Sequence, residues 1–484
     1  MQQQKISLTK NQQECVSFQP AGDLLVRGIP GCGKTTVLLE RAKFLQMKNV
    51  GTVLFIAYNK ALTTYIRQLS LKTGDTPVET TTYHQWGIRL LKELGIRNIN
   101  LIGESQKEVI RYAYNTVKKY SPDSKFPLFD KDPLKNFRQL IKFLIAEIAW
   151  IKGNGVGSRE SYMNVLRSGR GNQIKITREN RTAIYEVFEK YNELLASRKY
   201  RSIDFDDVAL LLIKHAPYIP KEERPDHVLV DEAQDLTKMQ LKAISLLANK
   251  SVTIGADKGQ QIYHRTFAWK EIGIDVTKGR SKFLNETFRS TQEIIRLAKD
   301  FQQKDTSLLK DENYTETVLP SASGQIPVLV ESNSIEQEIE TVVTLVDRYR
   351  NNFPEDSIGV IGQSAKRLEK FSEAFNEAKI PWVMVKEDET DMLAPGVKLV
   401  SYYSAKGLEF DHTIVANLKE GYVPYRSPTP GIDEEDHIAA ERRKFFVAMT
   451  RAKYTLTISA VRPFSSFVKD LNPKYYKKVK LKYD

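Results

Sequence analysis

The chain has little that would cross-link it or carry it out of a reducing compartment. Its 484 residues include two cysteines, Cys15 and Cys32, too few for a disulfide framework or a zinc cluster. No stretch approaches the roughly 18 apolar residues of a membrane span, and the opening Met1-Gln-Gln-Gln-Lys-Ile-Ser lacks the apolar core of a secretory signal. No internal repeat or low-complexity linker stands out. These absences point to a cytoplasmic protein. Apolar material, by contrast, is plentiful: 41% of residues are hydrophobic and 10% aromatic, enough for several packed domains. Positive charge is in excess as well. The 73 Lys+Arg against 60 Asp+Glu give +13, which suits a polyanionic partner but is equally the charge of a solvated surface.

Two segments carry a specific chemistry. The apolar run Leu24-Leu25-Val26 leads into Gly28-Ile29-Pro30-Gly31-Cys32-Gly33-Lys34-Thr35-Thr36, and the following Val37-Leu38-Leu39 and Arg41-Ala42 have the pattern of a helix. This strand, loop and helix fill every position of GxxxxGK[ST]. Its glycines would let backbone N–H groups curl around a β-phosphate at the positive end of the helix. Lys34 would neutralise the β and γ oxygens, and Thr35 would offer its hydroxyl to Mg²⁺. Further along, the apolar Val228-Leu229-Val230 ends in Asp231-Glu232-Ala233-Gln234-Asp235. Asp231 at a strand end can hold Mg²⁺ through water, and Glu232 can polarise an attacking water as general base. An acid-rich helix N-terminus would have the same letters, but not with a phosphate loop upstream. ATP with Mg²⁺ is the expected ligand.

Asp231-Glu-Ala-Gln-Asp235 and the phosphate loop resemble motifs I and II of the UvrD/Rep/PcrA helicases of superfamily 1, and segments similar to the other family motifs follow in family order. Around Gln12 the chain looks like the Q motif, which implies contact with the adenine edge. Phe55-Ile-Ala-Tyr58-Asn59-Lys60 is similar to motif Ia and Thr82-Tyr83-His84-Gln85-Trp86 to the next motif; both touch the DNA strand in the family, although ordinary core aromatics would leave the same letters. Ile203-Asp204-Phe205-Asp206-Asp207 resembles the motif preceding motif II. Ile254-Gly-Ala-Asp257-Lys-Gly-Gln260 resembles motif III, where Gln260 would sense the γ-phosphate. That motif departs from the family at Ala256 and after Tyr263, which leaves Phe267 and Trp269 both as candidates to stack on a base. Thr287-Phe288-Arg289-Ser290 looks like motif IV, implying that Phe288 stacks on adenine and Arg289 reaches the γ-phosphate, with Arg41 as candidate cover for the other adenine face. In the segment similar to motif V, Ser401 and Tyr403, the latter in place of histidine, would face DNA phosphate, and Glu409 the ribose. Val447-Ala-Met-Thr-Arg451 resembles motif VI and makes Arg451 the second arginine finger.

The resemblance implies an α/β fold of two RecA-like parallel-sheet lobes with ATP between them: 1–90 and 201–280 forming the first lobe, 281–484 the second, and 91–200 a helical insertion of the 1B type. That insertion is rich in cations, among them Lys118, Lys119, Lys135, Arg138, Arg167, Arg170 and Lys175. Only about 110 residues separate Arg289 from Ser401, which leaves little or no room for the family's 2B insertion, and the tail after Arg462 is too short for the nuclease domain of some relatives. The function implied is an ATP-dependent 3′→5′ translocase or helicase on single-stranded, tailed or forked DNA. The alternative is a DNA-stimulated ATPase or sensor subunit working with a nuclease partner, as in anti-phage systems of the Gabija type.

Overall fold

The computed structural model describes residues 8–29, 31–72, 77–96, 99–167, 176–197, 202–256, 267–309, 318–385, 391–425 and 434–479. Among these, apolar five- and six-residue runs become strands buried along nearly their whole length, as parallel strands covered on both faces must be. The first sheet contains β1 (Leu24–Gly28), β2 (Val53–Ala57), β3 (Glu79–Thr82), β6 (His227–Val230), β7 (Ser251–Ala256) and β8 (Ser281–Leu284), in the order β3-β2-β6-β7-β1-β8. Every pairing in it is parallel. A two-stranded ribbon pairs β4 (Asn100–Leu101) with β5 (Ser202–Ile203). The second sheet is also parallel, with β9 (Val328–Ser332), β10 (Ser357–Gly362), β11 (Trp382–Met384), β12 (Gly396–Ser401), β13 (Phe410–Leu418), β14 (Ala452–Val461) and β15 (Lys477–Val479) in the order β11-β12-β10-β13-β14-β9-β15. The apolar runs at 53–57, 228–230, 251–254, 357–361 and 412–415 all lie in these two sheets.

Helices cover both faces of each sheet. On the first they are α1 (Lys10–Val16), α2 (Lys34–Met47) and α3 (Lys60–Lys72) on one side, and α4 (Tyr83–Glu93), α9 (Phe205–His215) and α10 (Lys238–Leu247) on the other. Several of these begin with a reciprocal cap in which a Thr or Asp side chain and the residue three further on satisfy each other's backbone N–H: Thr9 with Gln12, Thr82 with Gln85, Asp204 with Asp207 and Thr237 with Gln240. Between β4 and β5 the chain forms α5 (Gln106–Tyr120), α6 (Pro133–Asn154), α7 (Arg159–Asn164) and α8 (Arg178–Ala196) around a separate core that includes Ile110, Phe143, Ile148 and Tyr191. This bundle is tied to the first sheet's helices by Lys152, whose buried ammonium lies 2.7 Å from carboxylate oxygens of both Asp204 and Asp207. Arg167, one of the candidate DNA cations, makes a two-pronged contact with buried Glu147 at 2.6 Å and 2.6 Å, so its charge is used inside the bundle. Arg170 and Lys175 lie outside the described residues.

The second sheet is flanked by α11 (Gln292–Gln302), α12 (Thr306–Leu309) and α15 (Glu434–Met449) on one face and by α13 (Ile335–Asn352) and α14 (Ala365–Glu377) on the other. From 318 to 401 the described chain runs through elements of this sheet and its helices, with no extra bundle among them. The two halves meet along α3: Ala61 joins the second sheet's core, Gly407 packs on Leu62, and Gln68 accepts the Met392 backbone N–H at 2.8 Å. No helix of the described residues is long and apolar enough to cross a membrane.

Candidate nucleotide and DNA site

The phosphate loop leaves β1 and enters α2 through Gly31 and Gly33, at φ of 75° and 78°, a left-handed conformation that glycine adopts without a Cβ clash. Gly28 is held close for a different reason: a Cβ there would meet the Leu284 carbonyl oxygen at 2.8 Å. Lys34, the first residue of α2, is buried and donates to the carbonyl oxygens of Gly28 and Ile29 at 2.9 Å and 3.0 Å. Beside it Thr35 donates its hydroxyl to Asp231 at 2.6 Å, while Thr36 is half-buried in the same first turn. Cys32 is buried with its sulfur 3.8 Å from the Lys34 ammonium. Pro30 lies outside the described residues.

Asp231 follows the last residue of β6, and Glu232 after it takes a left-handed backbone, φ 52° and ψ 35°. For a residue with a Cβ this costs on the order of 1–2 kcal/mol, a strain that tends to collect at working sites. The two carboxyls are buried side by side. Burial, and then the charge of Glu232, pushes Asp231 up to about 6. Burial acts on Glu232 too, but Lys406, Lys34 and Arg451 together hold it below the ordinary carboxylate range. Glu232 therefore stays ionised at neutral pH. The Thr35 hydroxyl at the start of α2 and the Asp231 carboxylate at the end of β6 bring two oxygen donors to one place, and such donors fit Mg²⁺.

Across from this pair stands the second half of the chain. Lys406 bonds Asp235 and lies 3.4 Å from Glu232, and Gln234 donates its side-chain amide to Glu232. Arg289 pairs with Glu409 at 3.0 Å, and Lys453 holds the other oxygen of that carboxylate at 3.1 Å. Burial works against the charge on Glu409, but these two cations bring it down to about 2. Phe288 is 56% exposed, with its N–H on the Gly31 carbonyl at 2.9 Å; its ring is available to stack. Arg451 is buried, donating to the carbonyls of Val447 and Leu408 at 2.9 Å and 3.1 Å, close enough to Glu232 to act on its charge. Gln260 lies outside the described residues.

Two residues expected at adenine are engaged inside the protein. Gln12 is the third residue of α1, and its amide is engaged at both ends: the oxygen accepts the Thr9 N–H at 2.9 Å and the nitrogen donates to the Cys32 carbonyl at 3.0 Å. It props the phosphate loop instead of presenting two free groups. Arg41 likewise has its partners inside the protein. Its fully buried guanidinium donates to the carbonyls of Cys15, Val16, Phe18 and Gln19 and to Thr253, which fixes the α1–β1 connection to the sheet.

The candidate DNA residues divide sharply. Tyr58 and Tyr403 come from different halves of the chain, yet their rings lie 5.4 Å apart at 54°, with Tyr403 54% exposed and the Lys406 ammonium 5.5 Å from the Tyr58 ring. Lys60, half-buried, opens α3 just behind them. Asn59 caps that helix, its buried oxygen accepting the Leu62 N–H at 2.8 Å. Ser401 caps its own turn by accepting the Ser404 N–H at 3.1 Å. Tyr83 and Trp86, by contrast, are core residues, 2% and 1% exposed, because positions 83, 86, 87, 90 and 91 form the inward stripe of α4. His84 is half-buried, edge-on to Phe205 and 3.3 Å from the Gln240 amide. Phe267 and Trp269 are half-buried against the same core and against each other. Replacing Trp86 by Ala should thus lower stability by about 3–5 kcal/mol in a urea melt and leave the DNA affinity of the folded fraction unchanged. A variant of native stability that had lost DNA binding would restore Trp86 to the interface.

Lys406, to which the motif reading gave no role, joins the two halves through Asp235 and Glu232. Its place between motif residues hinted at a function, but a charged side chain's partner across a cleft has no signature in local spacing.

Similarity to known proteins follows the same division. The UvrD/REP helicase N-terminal domain family matches residues 8–272, and the UvrD-like helicase C-terminal domain family matches residues 283–393 and 385–463. Among curated relatives, a "Probable DNA helicase II homolog" of Mycoplasma capricolum is 24% identical, covering 73% of this chain and 49% of the relative. A "Probable DNA helicase" of Mycoplasma pneumoniae is 26% identical over 49% of this chain and 44% of its own length. The ATP-dependent DNA helicase PcrA of Staphylococcus aureus is 24% identical over 75% of this chain and 49% of its own. The chain spans about half the length of the curated relatives it matches. A solved C-terminal domain of a possible DNA helicase from Lactobacillus plantarum covers 40% of this chain and 98% of the other at 24% identity, with a TM-score of 0.30, too low to bear on the fold.

Proposed function

The chain belongs to the UvrD/REP helicase family, and from that premise we propose that it is an ATP-driven motor that moves 3′→5′ along single-stranded DNA and opens tailed or forked duplexes. One observation carries this reading. Lys406 lies 3.4 Å from Glu232 and 5.5 Å from the Tyr58 ring, beside Tyr403, so the general base and the aromatic pair offered to DNA share one ammonium. Strand binding that moves Lys406 changes the field on Glu232, and hydrolysis does the reverse. In the proposed cycle, backbone N–H groups of the loop and Lys34 hold the phosphates, Glu232 orients and deprotonates the attacking water, and Arg289 and Arg451 stabilise charge on the transferring phosphoryl group as the halves close. Thr35 and Asp231 would hold Mg²⁺, which would supply positive charge for phosphoryl transfer. Phe288 offers its face to adenine. The division into 1–90 with 201–280, 91–200 and 281–484 belongs to the same proposal, supported by the separate hydrophobic cores.

The test is ATP turnover with and without oligo-dT, followed by strand displacement on 3′- and 5′-tailed duplexes. We expect DNA-stimulated turnover, displacement from the 3′ tail, and DNA affinity that falls steeply with salt as phosphate contacts release counterions. Tyr403→Ala should weaken oligo-dT binding by roughly 1–3 kcal/mol with a nearly unchanged salt slope, since stacking releases no ions; normal affinity in that variant would remove Tyr403 from the strand's path. Stimulated turnover without displacement would favour the alternative, a DNA-stimulated ATPase that signals to a nuclease partner, as in anti-phage defence.

A further inference from the structure

Arg289 is tied to Glu409 through its Nε, so a swing of the guanidinium toward a γ-phosphate as the halves close loosens that pair. The two are 3.0 Å apart, with Arg289 15% and Glu409 26% exposed, so the carboxylate is neither fully solvated nor free to lose its counter-charge without penalty. Removing one partner of a poorly solvated pair leaves an uncompensated charge. A finger that must leave such a partner in each cycle needs something to stay behind. Lys453 is placed to do so. It holds the other carboxylate oxygen, Oε1, at 3.1 Å and lies 3.7 Å from Asp411. Asp411 is itself fixed, accepting the Ser357 N–H at 2.9 Å and the Ser357 hydroxyl at 2.6 Å. Lys453 is thus anchored at the start of β14 independently of Arg289.

We propose that Lys453 is a positioning residue that frees Arg289 for the phosphate by holding Glu409 from the other side. This rests on the ATPase reading above. With Lys453 present, Glu409 keeps a cation when Arg289 departs. Without it, Arg289 becomes the sole partner of a half-buried carboxylate and is retained. Transition-state stabilisation then falls, whereas nucleotide binding in the ground state depends mainly on the phosphate loop. Tyr65 on α3 packs on the cores of both halves.

The experiment measures steady-state turnover of the full chain with saturating oligo-dT and Mg-ATP, alongside thermal melts, for Lys453→Gln, Lys453→Arg, Glu409→Gln and the Glu409→Gln/Lys453→Gln double variant. We expect Lys453→Gln to lose about tenfold or more in kcat with KM for ATP changed less than about threefold. Lys453→Arg should stay within about threefold of wild type, because it returns the charge. In the double variant no carboxylate remains to trap Arg289, so its kcat should equal that of Glu409→Gln. If Lys453→Gln melts below the assay temperature, Lys453→Met, which keeps the aliphatic stem, takes its place, and the double variant is compared in the same way. A neutral Lys453→Gln, an arginine variant no better than glutamine, or losses that multiply in the double variant each overturn the proposal. In all three of those cases wild-type turnover remains; a wild type without DNA-stimulated turnover would instead bring down the ATPase reading and this inference with it.

Discussion

Glu232→Gln should yield a folded protein that still binds ATP and scarcely hydrolyses it. The exchange is isosteric and removes the ability to accept a proton from water, a role that contributes about 10²–10⁴-fold in rate. The surroundings tolerate it. Gln234 can still donate to the side-chain oxygen at position 232, and Lys406 keeps its bond to Asp235. The left-handed backbone at 232 is as accessible to Gln as to Glu, so the strain there does not change. Lys34→Ala should behave differently, since it removes the ammonium beside the phosphate loop and with it much of the binding. Nucleotide binding by a fluorescent ATP analogue, set beside turnover, separates the two variants. If Glu232→Gln turned over at the wild-type rate, the base would have to be sought elsewhere, Asp235 first.

How much of this was legible beforehand depended on whether a residue's role follows from its neighbours in sequence. The phosphate loop and the acid pair were readable because their function is local: glycines, an ammonium and a hydroxyl on one turn, and two carboxyls at a strand end. The parallel sheets were readable for a similar reason, as short apolar runs buried on both faces. The internal partners of Arg41 and Gln12 were not legible, because an arginine near a nucleotide site and an arginine that ties down carbonyls have the same letter. Only the positions of Cys15, Val16, Phe18 and Gln19 decide between the two roles. Trp86 could have been placed correctly, since Tyr83, Trp86, Leu90 and Leu91 already follow helical spacing and the helix begins at the Thr82 cap. The ionic links of Arg289 with Glu409 and of Lys406 with Asp235 join segments more than 100 residues apart, and no spacing rule reaches that far.

Arg289→Ala should reduce kcat by about 10³-fold or more while KM for ATP changes far less, because an arginine finger acts on charge that develops only in the transition state. The structure offers a rival account, in which Arg289 simply neutralises Glu409. Lysine at 289 tells the two apart. An ammonium can sit beside Glu409 and satisfy a structural need for charge, but it lacks the planar fork of donors that spans phosphoryl oxygens. If Arg289 is structural, Arg289→Lys should recover both melting temperature and turnover. If it is a finger, Arg289→Lys should recover the melting temperature and remain nearly as slow as Ala. Arg451 is a poorer subject for the same comparison, since its buried guanidinium also holds the carbonyls of Val447 and Leu408, and either substitution there disturbs folding along with chemistry. Turnover per folded molecule, measured for Arg289→Ala and Arg289→Lys together with their melts, decides the question: full recovery by lysine would take Arg289 out of the active site.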